Sequence, residues 1–95
     1  METREVYTEK IEAQLREWNA KIDQIKAKAD QANADAKIQY MNQVEKLQTK
    51  TENTQAKLEE LKSASDEAWE TIKGGVEKAS VDLKSAIDGA LSEFK

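Results

Sequence analysis

The residues of this chain that could perform chemistry are carboxylates, and three of them, Asp66, Glu67 and Glu70, lie within little more than one helical turn. Carboxylate oxygens at this spacing could attract a cation. Acid–base catalysis would also need a concave pocket that changes their pKa values. Acidic residues are favoured in the first turn of a helix, where they face the positive end of its dipole. The pattern therefore favours a solvated helix N-terminus over a cation site.

Other motifs for catalysis or ligand binding are incomplete. The chain has no histidine and no cysteine, which excludes imidazole catalysis, histidine or cysteine zinc sites and thiolate chemistry. The segment DQANAD at 30–35 lacks the central glycine and terminal glutamate of a calcium loop. The segment KGGVEK at 73–78 lacks the spacing of a phosphate-binding loop. The sequence therefore predicts a protein that is not an enzyme, with no catalytic residue, metal site or cofactor.

The composition is typical of long helices and coiled coils. Charged residues make up 36% of the chain, which has three glycines and no proline. The net charge is −4 and no basic cluster is available to neutralise phosphates, so we expect no nucleic-acid partner. No apolar run is long enough to span a membrane, and the segment METREVYTEK at 1–10 does not resemble a signal peptide. Together with the absence of cysteine, these features predict a cytoplasmic protein.

An apolar stripe with coiled-coil spacing begins near the N-terminus. Its bulky members, separated by three or four positions, are Ile11, Leu15, Trp18, Ile22 and Ile25. The stripe thins to alanine between residues 26 and 37 and then continues through Val44, Leu47, Leu58 and Leu61. No proline interrupts it and the first glycine is Gly74, so the sequence predicts one helix over about residues 4–62. Such a helix would be roughly 90 Å long and would need a partner along its side.

The C-terminal third carries an eleven-residue repeat. Its main apolar positions are Ile72, Val76, Leu83, Ile87 and Phe94. The segments LKSASD at 61–66 and LKSAID at 83–88 differ at one position, where Ser65 replaces the apolar Ile87. Ser63, Ser65 and Asp66 favour helix caps and turns over helix interiors. The sequence therefore predicts a turn at about 63–66, followed by a helix over about 66–95.

This turn predicts an all-α fold in which the long helix and a shorter C-terminal helix form an antiparallel hairpin, or coiled coil. The predicted hairpin seam contains Val44, Leu47, Leu58, Leu61, Ile72, Val76, Leu83, Ile87 and Phe94. The hairpin leaves the stripe from Ile11 to Ile25 without a partner inside the chain. We therefore expect that stripe to be the interface of a homo-oligomer, most simply a dimer. Two alternatives stay open: a three-helix bundle with a second turn near Gln31–Ala34, which buries the stripe, and a single continuous helix.

Two segments carry a family resemblance. AQLREWNAKIDQIKAKAD at 13–30 and SDEAWETIKGGVEKASVDLKSAIDGALSEF at 65–94 resemble a family of small bacterial coiled-coil proteins, mostly uncharacterised and sometimes grouped with apolipoprotein-like helices. The run from Trp69 to Glu77 is the most distinctive part of the match. The resemblance implies a helical cytoplasmic protein linked to stress or envelope physiology, and it brings no active site.

These expectations favour a non-enzymatic structural or interaction protein. It would be a coiled coil that forms a homo-oligomer and that could also bind another protein. The alternative is reversible binding to a lipid surface, because eleven-residue amphipathic repeats suit membrane interfaces. Residues 66–95 hold seven acidic residues and four lysines, a net charge of −3. Anionic bilayers would repel this segment, so the sequence disfavours a membrane partner.

Overall fold

The computed structural model describes residues 3–93, and within that range it contains three α-helices and no β-strand. Helix α1 spans Arg4–Asp30, α2 spans Ala34–Lys62 and α3 spans Asp66–Glu93. The predicted all-α fold is confirmed. The principal extents are 51 × 18 × 17 Å, so three helices of about 40 Å lie side by side in an up-down-up bundle. Phe94 of the predicted seam lies outside the described residues.

The long helix expected over about 4–62 is interrupted, and this part of the prediction is corrected. Gln31 ends α1, and its backbone N–H donates to the carbonyls of Ala29 and Lys28. Asn33 has an extended backbone (φ −68°, ψ 170°), and its side-chain oxygen accepts a hydrogen bond of 2.9 Å from the Ala36 N–H. This cap supplies a partner for one of the free N–H groups that begin a helix. The alternative with a turn near Gln31–Ala34 is therefore the observed arrangement.

The second turn joins α2 to α3 between Lys62 and Asp66. The Ser63 N–H donates to the carbonyls of Glu60 and Leu61. The Ala68 N–H lies 3.2 Å from the Ser65 side-chain oxygen, so Ser65 caps the start of α3. A serine at this position gives α3 a hydrogen-bonded beginning, whereas an apolar residue there would have extended the stripe.

One apolar core runs through the bundle. Its side chains are spaced by three or four positions along each helix, and each helix turns one apolar face inward. The buried members are Tyr7, Ile11, Leu15, Trp18, Ile22, Ile25, Val44, Leu47, Leu58, Leu61, Val76, Leu83, Ile87 and Ala90. Burying a side chain the size of leucine or isoleucine contributes about 1.5–3 kcal/mol, so this core supplies the main driving force for folding.

The N-terminal stripe belongs to this core and is not exposed. The five side chains that the sequence assigned to an oligomer interface expose 5% of their surface or less; they are Ile11, Leu15, Trp18, Ile22 and Ile25. The turn at 31–33 lets α1 fold back against α2 and α3, which supply the partner that the predicted hairpin lacked. The argument for self-association from an unpartnered stripe is therefore corrected.

The described residues of the predicted hairpin seam also lie in the core. Val44, Leu47, Leu58, Leu61, Val76, Leu83 and Ile87 are buried, and Ile72 is half-buried against them. Thr54 is fully buried between them, and its hydroxyl donates to the Lys50 carbonyl at 2.8 Å. None of the three described helices holds an apolar stretch that would cross a bilayer.

Candidate functional site

Several polar and aromatic contacts join α1 to the rest of the bundle at the end where α1 begins and α2 turns into α3. We call this cluster the clasp and define it as Arg4, Tyr7, Ala64, Asp66 and Trp69. Its members come from α1, from the turn between α2 and α3, and from the start of α3. The clasp therefore joins the first turns of α1 to the start of α3.

Arg4 makes three contacts in the clasp. Its guanidinium donates to the Ala64 carbonyl at 3.0 Å and to an Asp66 carboxylate oxygen at 2.7 Å. The same group lies 4.4 Å from the centroid of the Trp69 ring. A guanidinium is planar and carries several N–H donors, so it can stack on an aromatic face while its edge donates hydrogen bonds. Arg4 thus joins the first turn of α1 to the α2–α3 turn.

Tyr7 continues the clasp one turn further along α1. Its ring meets the Trp69 ring edge-on, with centroids 6.1 Å apart and an interplanar angle of 74°. The Lys73 ammonium lies 4.7 Å from the centroid of the Tyr7 ring. Tyr7 is 4% exposed, whereas Trp69 is half-buried. Edge-to-face aromatic pairs stabilise beyond their buried area, so these rings close the seam between α1 and α3.

A charged pair supports the clasp between α1 and α2. The Lys62 ammonium contacts the Glu12 carboxylate, and it also lies 3.5 Å from Glu59. The hydrogen bond to Glu12 raises the pKa of Lys62 above its ordinary value of 10.5, although desolvation opposes this shift. Lys62 therefore stays charged at neutral pH and keeps its bond to α1.

The carboxylates singled out in the sequence do not form a metal site. Asp66 is paired with Arg4, and Glu67 and Glu70 are exposed to solvent. Within residues 3–93 no group of three metal-ligating side chains comes together. Asp66 and Glu67 occupy the first turn of α3, as the helix-start interpretation expects.

The surface depressions of the described residues are shallow. One of about 550 Å³ lies along α2 and is lined by Asn42, Glu45, Lys46, Thr49 and Lys50. Another of about 250 Å³ lies between α1 and α3, next to Ser80 and the exposed Val81. The first is lined by polar side chains of a single helix, and the second is the seam where α1 and α3 meet.

The cap of α3 gives a test that uses two serines of the same turn. We expect Ser65→Ala to lower the free energy of unfolding by about 1 kcal/mol, because the Ala68 N–H loses its acceptor. Ser63→Ala is the matched control, since the Ser63 hydroxyl makes only a long bond of 3.4 Å to the Glu59 carbonyl. Urea denaturation followed by circular dichroism measures both. Equal losses in the two variants would contradict the cap at Ser65.

Sequence reasoning missed most of the clasp. Tyr7 lies four positions before Ile11, so an extension of the stripe by one step would have included it. Arg4 and Glu12 carry no such signal, because their partners become neighbours only when α1 folds back.

Comparison with protein-family models, with curated proteins and with solved structures gives no match for this chain.

Proposed function

We propose that this chain is a non-enzymatic structural or interaction protein that self-associates through its helices. The observation that supports the proposal is the single core to which all three helices contribute. Apolar side chains spaced by three and four positions form interfaces between helices, whether the helices belong to one chain or to two. Helix–helix recognition is therefore the role that most of the chain's large apolar residues serve.

Two exposed side chains add a specific reason to expect contacts between copies. Ile38 and Met41 lie one turn apart on α2, and they are 61% and 42% exposed. Tyr40 next to them is half-buried against the core. These residues lie in the first turns of α2, close to the turn at 31–33, so association there would involve the end of the bundle opposite the clasp.

Light scattering coupled to size exclusion tests the proposal. We expect the molar mass to rise from that of a monomer towards that of a dimer between low and high micromolar concentration. Far-ultraviolet circular dichroism should show the same helicity at each concentration, because the bundle is folded in both states. A monomer at every concentration would refute self-association.

A heterologous protein partner is a variant of the same proposal. The resemblance to bacterial coiled-coil proteins adds a role in stress or envelope physiology to the proposal. The variant with a heterologous partner predicts that the chain is monomeric alone and becomes part of a larger complex when that partner is present.

Reversible lipid binding is the second candidate, and the character of α3 favours it. This helix is the most apolar and most strongly amphipathic of the three, and it carries Val81 on its surface with 69% exposure. Its inward face is covered by α1 and α2, so a lipid surface would have to compete with them. Co-sedimentation with neutral vesicles but not with anionic ones is expected; an absence of binding to both would rule this function out.

A further inference from the structure

The connection between α1 and α2, residues 31–33, is a hinge that contains no residue unable to join a continuous helix. Gln31, Ala32 and Asn33 include no glycine and no proline, and no described residue has a positive φ. Gln31 already has helical dihedral angles (φ −97°, ψ −5°), while Asn33 is extended at ψ 170°. Any L-residue can rotate from the extended to the helical region. The hinge can therefore become helical without strain.

The apolar stripe keeps its phase across the hinge. Ala29 is the last buried residue of α1 and Val44 the first of α2, and the positions between them continue at steps of three or four through Ala32, Ala36 and Tyr40, all half-buried. A turn resets the direction of the chain, so the bundle does not require this phase. A continuous helix does require it, because otherwise the apolar faces of the two halves would point in different directions.

The residues around the hinge also favour a straight helix. The segment KAKADQANADAK at 26–37 contains five alanines in twelve residues, and alanine has the highest helix propensity. Alanine at the stripe positions leaves little apolar surface to bury, and it allows two helices to cross closely. The break is held by the Asn33 side chain and by the packing of α1 on its own hairpin.

We propose that α1 is exchanged between two copies of this chain. The hinge straightens, residues 4–62 become one helix, and α1 packs against α2 and α3 of a second copy. The contacts of α1 with α2 and α3 form again between copies, including those of Arg4 in the clasp, while the contacts between α2 and α3 stay within each copy. The result is a closed two-fold dimer in which two long helices cross antiparallel at their alanine segments. This proposal rests on the proposed self-association and names its route.

The equilibrium between the two forms depends mainly on the hinge and on concentration. The closed bundle and the exchanged dimer share their core, so a core contact does not favour either one. Asn33 favours the closed form, since its cap exists only when the helix is broken. A substitution at the hinge should therefore change the population of the dimer with little effect on the fold.

Two hinge variants should shift this equilibrium in opposite directions. Asn33→Ala removes the cap, and we expect it to raise the dimerisation constant by about tenfold. Ala34→Pro should suppress the dimer, because proline suits the first position of α2 and the extended Asn33 before it, but cannot lie inside a continuous helix. Thr3→Ala is the matched control. Thr3 caps α1 through a 3.1 Å bond from the Val6 N–H, and its loss should leave the dimerisation constant unchanged.

Energy transfer within one chain identifies the route. The chain has no cysteine, so Glu9→Cys and Glu60→Cys allow two dyes to be attached. Both positions lie at the clasp end of a bundle 17–18 Å wide, whereas in a continuous helix they are about 75 Å apart. The doubly labelled chain is mixed with an excess of unlabelled chain and concentrated. The proposal expects efficient transfer in the monomer and its loss in the dimer.

The outcomes separate the two proposals. A dimer that keeps efficient transfer would overturn the exchange of α1 and leave self-association standing. A wild-type chain that stays monomeric while Asn33→Ala dimerises with loss of transfer would overturn both proposals for the natural sequence. Monomers for both chains would overturn both proposals. Dimerisation that responds to Thr3→Ala as strongly as to Asn33→Ala would also overturn the hinge.

Discussion

Replacing Ile25 by alanine is expected to lower the free energy of unfolding by about 2–5 kcal/mol. Ile25 is fully buried in the core, so the substitution removes apolar contacts and leaves a cavity that the surrounding helices fill only in part. A small bundle has a total stability of about 5–15 kcal/mol, so this loss is a large fraction of it. Urea denaturation at low micromolar concentration measures the change.

Ile38 provides the matched control for Ile25. The same substitution at Ile38, which is 61% exposed, should change the free energy of unfolding by no more than about 0.5 kcal/mol. The comparison tests whether the N-terminal stripe is part of the core of a single chain or is buried only when two copies associate. If the stripe were exposed in the monomer and buried only between copies, Ile25→Ala would leave the stability of the monomer unchanged and would only weaken association.

The fold class followed from the sequence because helix formation in this chain depends on local properties. The regular spacing from Ile11 to Ile25 and the eleven-residue repeat around Leu83 both show which face each helix buries. The change at Ser65 coincides with the start of α3, because a serine that can cap and an interrupted stripe give the same signal at one place. Because two local signals agree there, the turn between α2 and α3 could be predicted from the sequence.

The break at 31–33 was underestimated because its local signals disagree. Alanine-rich sequence and a stripe in phase favour a continuous helix, whereas Asn33 alone favours a cap. The choice depends on the gain from packing α1 against both other helices, and that gain is a tertiary property that propensities do not contain. The expectation that the stripe from Ile11 to Ile25 has no partner inside the chain was wrong for the same reason, since it followed from the continuous helix.

The clasp could not be predicted because its members become neighbours only after both turns form. Arg4 and Asp66 are 62 positions apart in the chain, and neither position has a distinctive local pattern. The same hinge that made the break hard to predict makes the clasp important. With a hinge that can straighten, contacts such as those of Arg4 and Trp69 hold α1 on its own hairpin or on that of a second copy.

Removing the Trp69 ring is expected to lower the free energy of unfolding by about 3 kcal/mol, at the lower end of the range for tryptophan-to-alanine changes because this side chain is half-buried. The loss combines packing against the core, the edge-to-face contact with Tyr7 and the stacking of Arg4. Trp69→Phe should retain most of the stability, since it keeps an aromatic face. Thermal and urea denaturation of both variants test this expectation.

A double-mutant cycle isolates the part of this loss that belongs to the clasp. Arg4→Ala and Trp69→Ala should couple by about 0.5–1 kcal/mol, the value of a partly exposed cation–π contact. Asp66→Asn should have little effect on stability, because Asp66 is fully exposed and its ion pair is screened by solvent. Hydrogen exchange should become faster in the first turns of α1 in Trp69→Ala, while the middle of α2 stays protected. Uniform acceleration along all three helices, or additivity in the cycle, would show that Trp69 contributes only to packing and that the clasp does not hold α1.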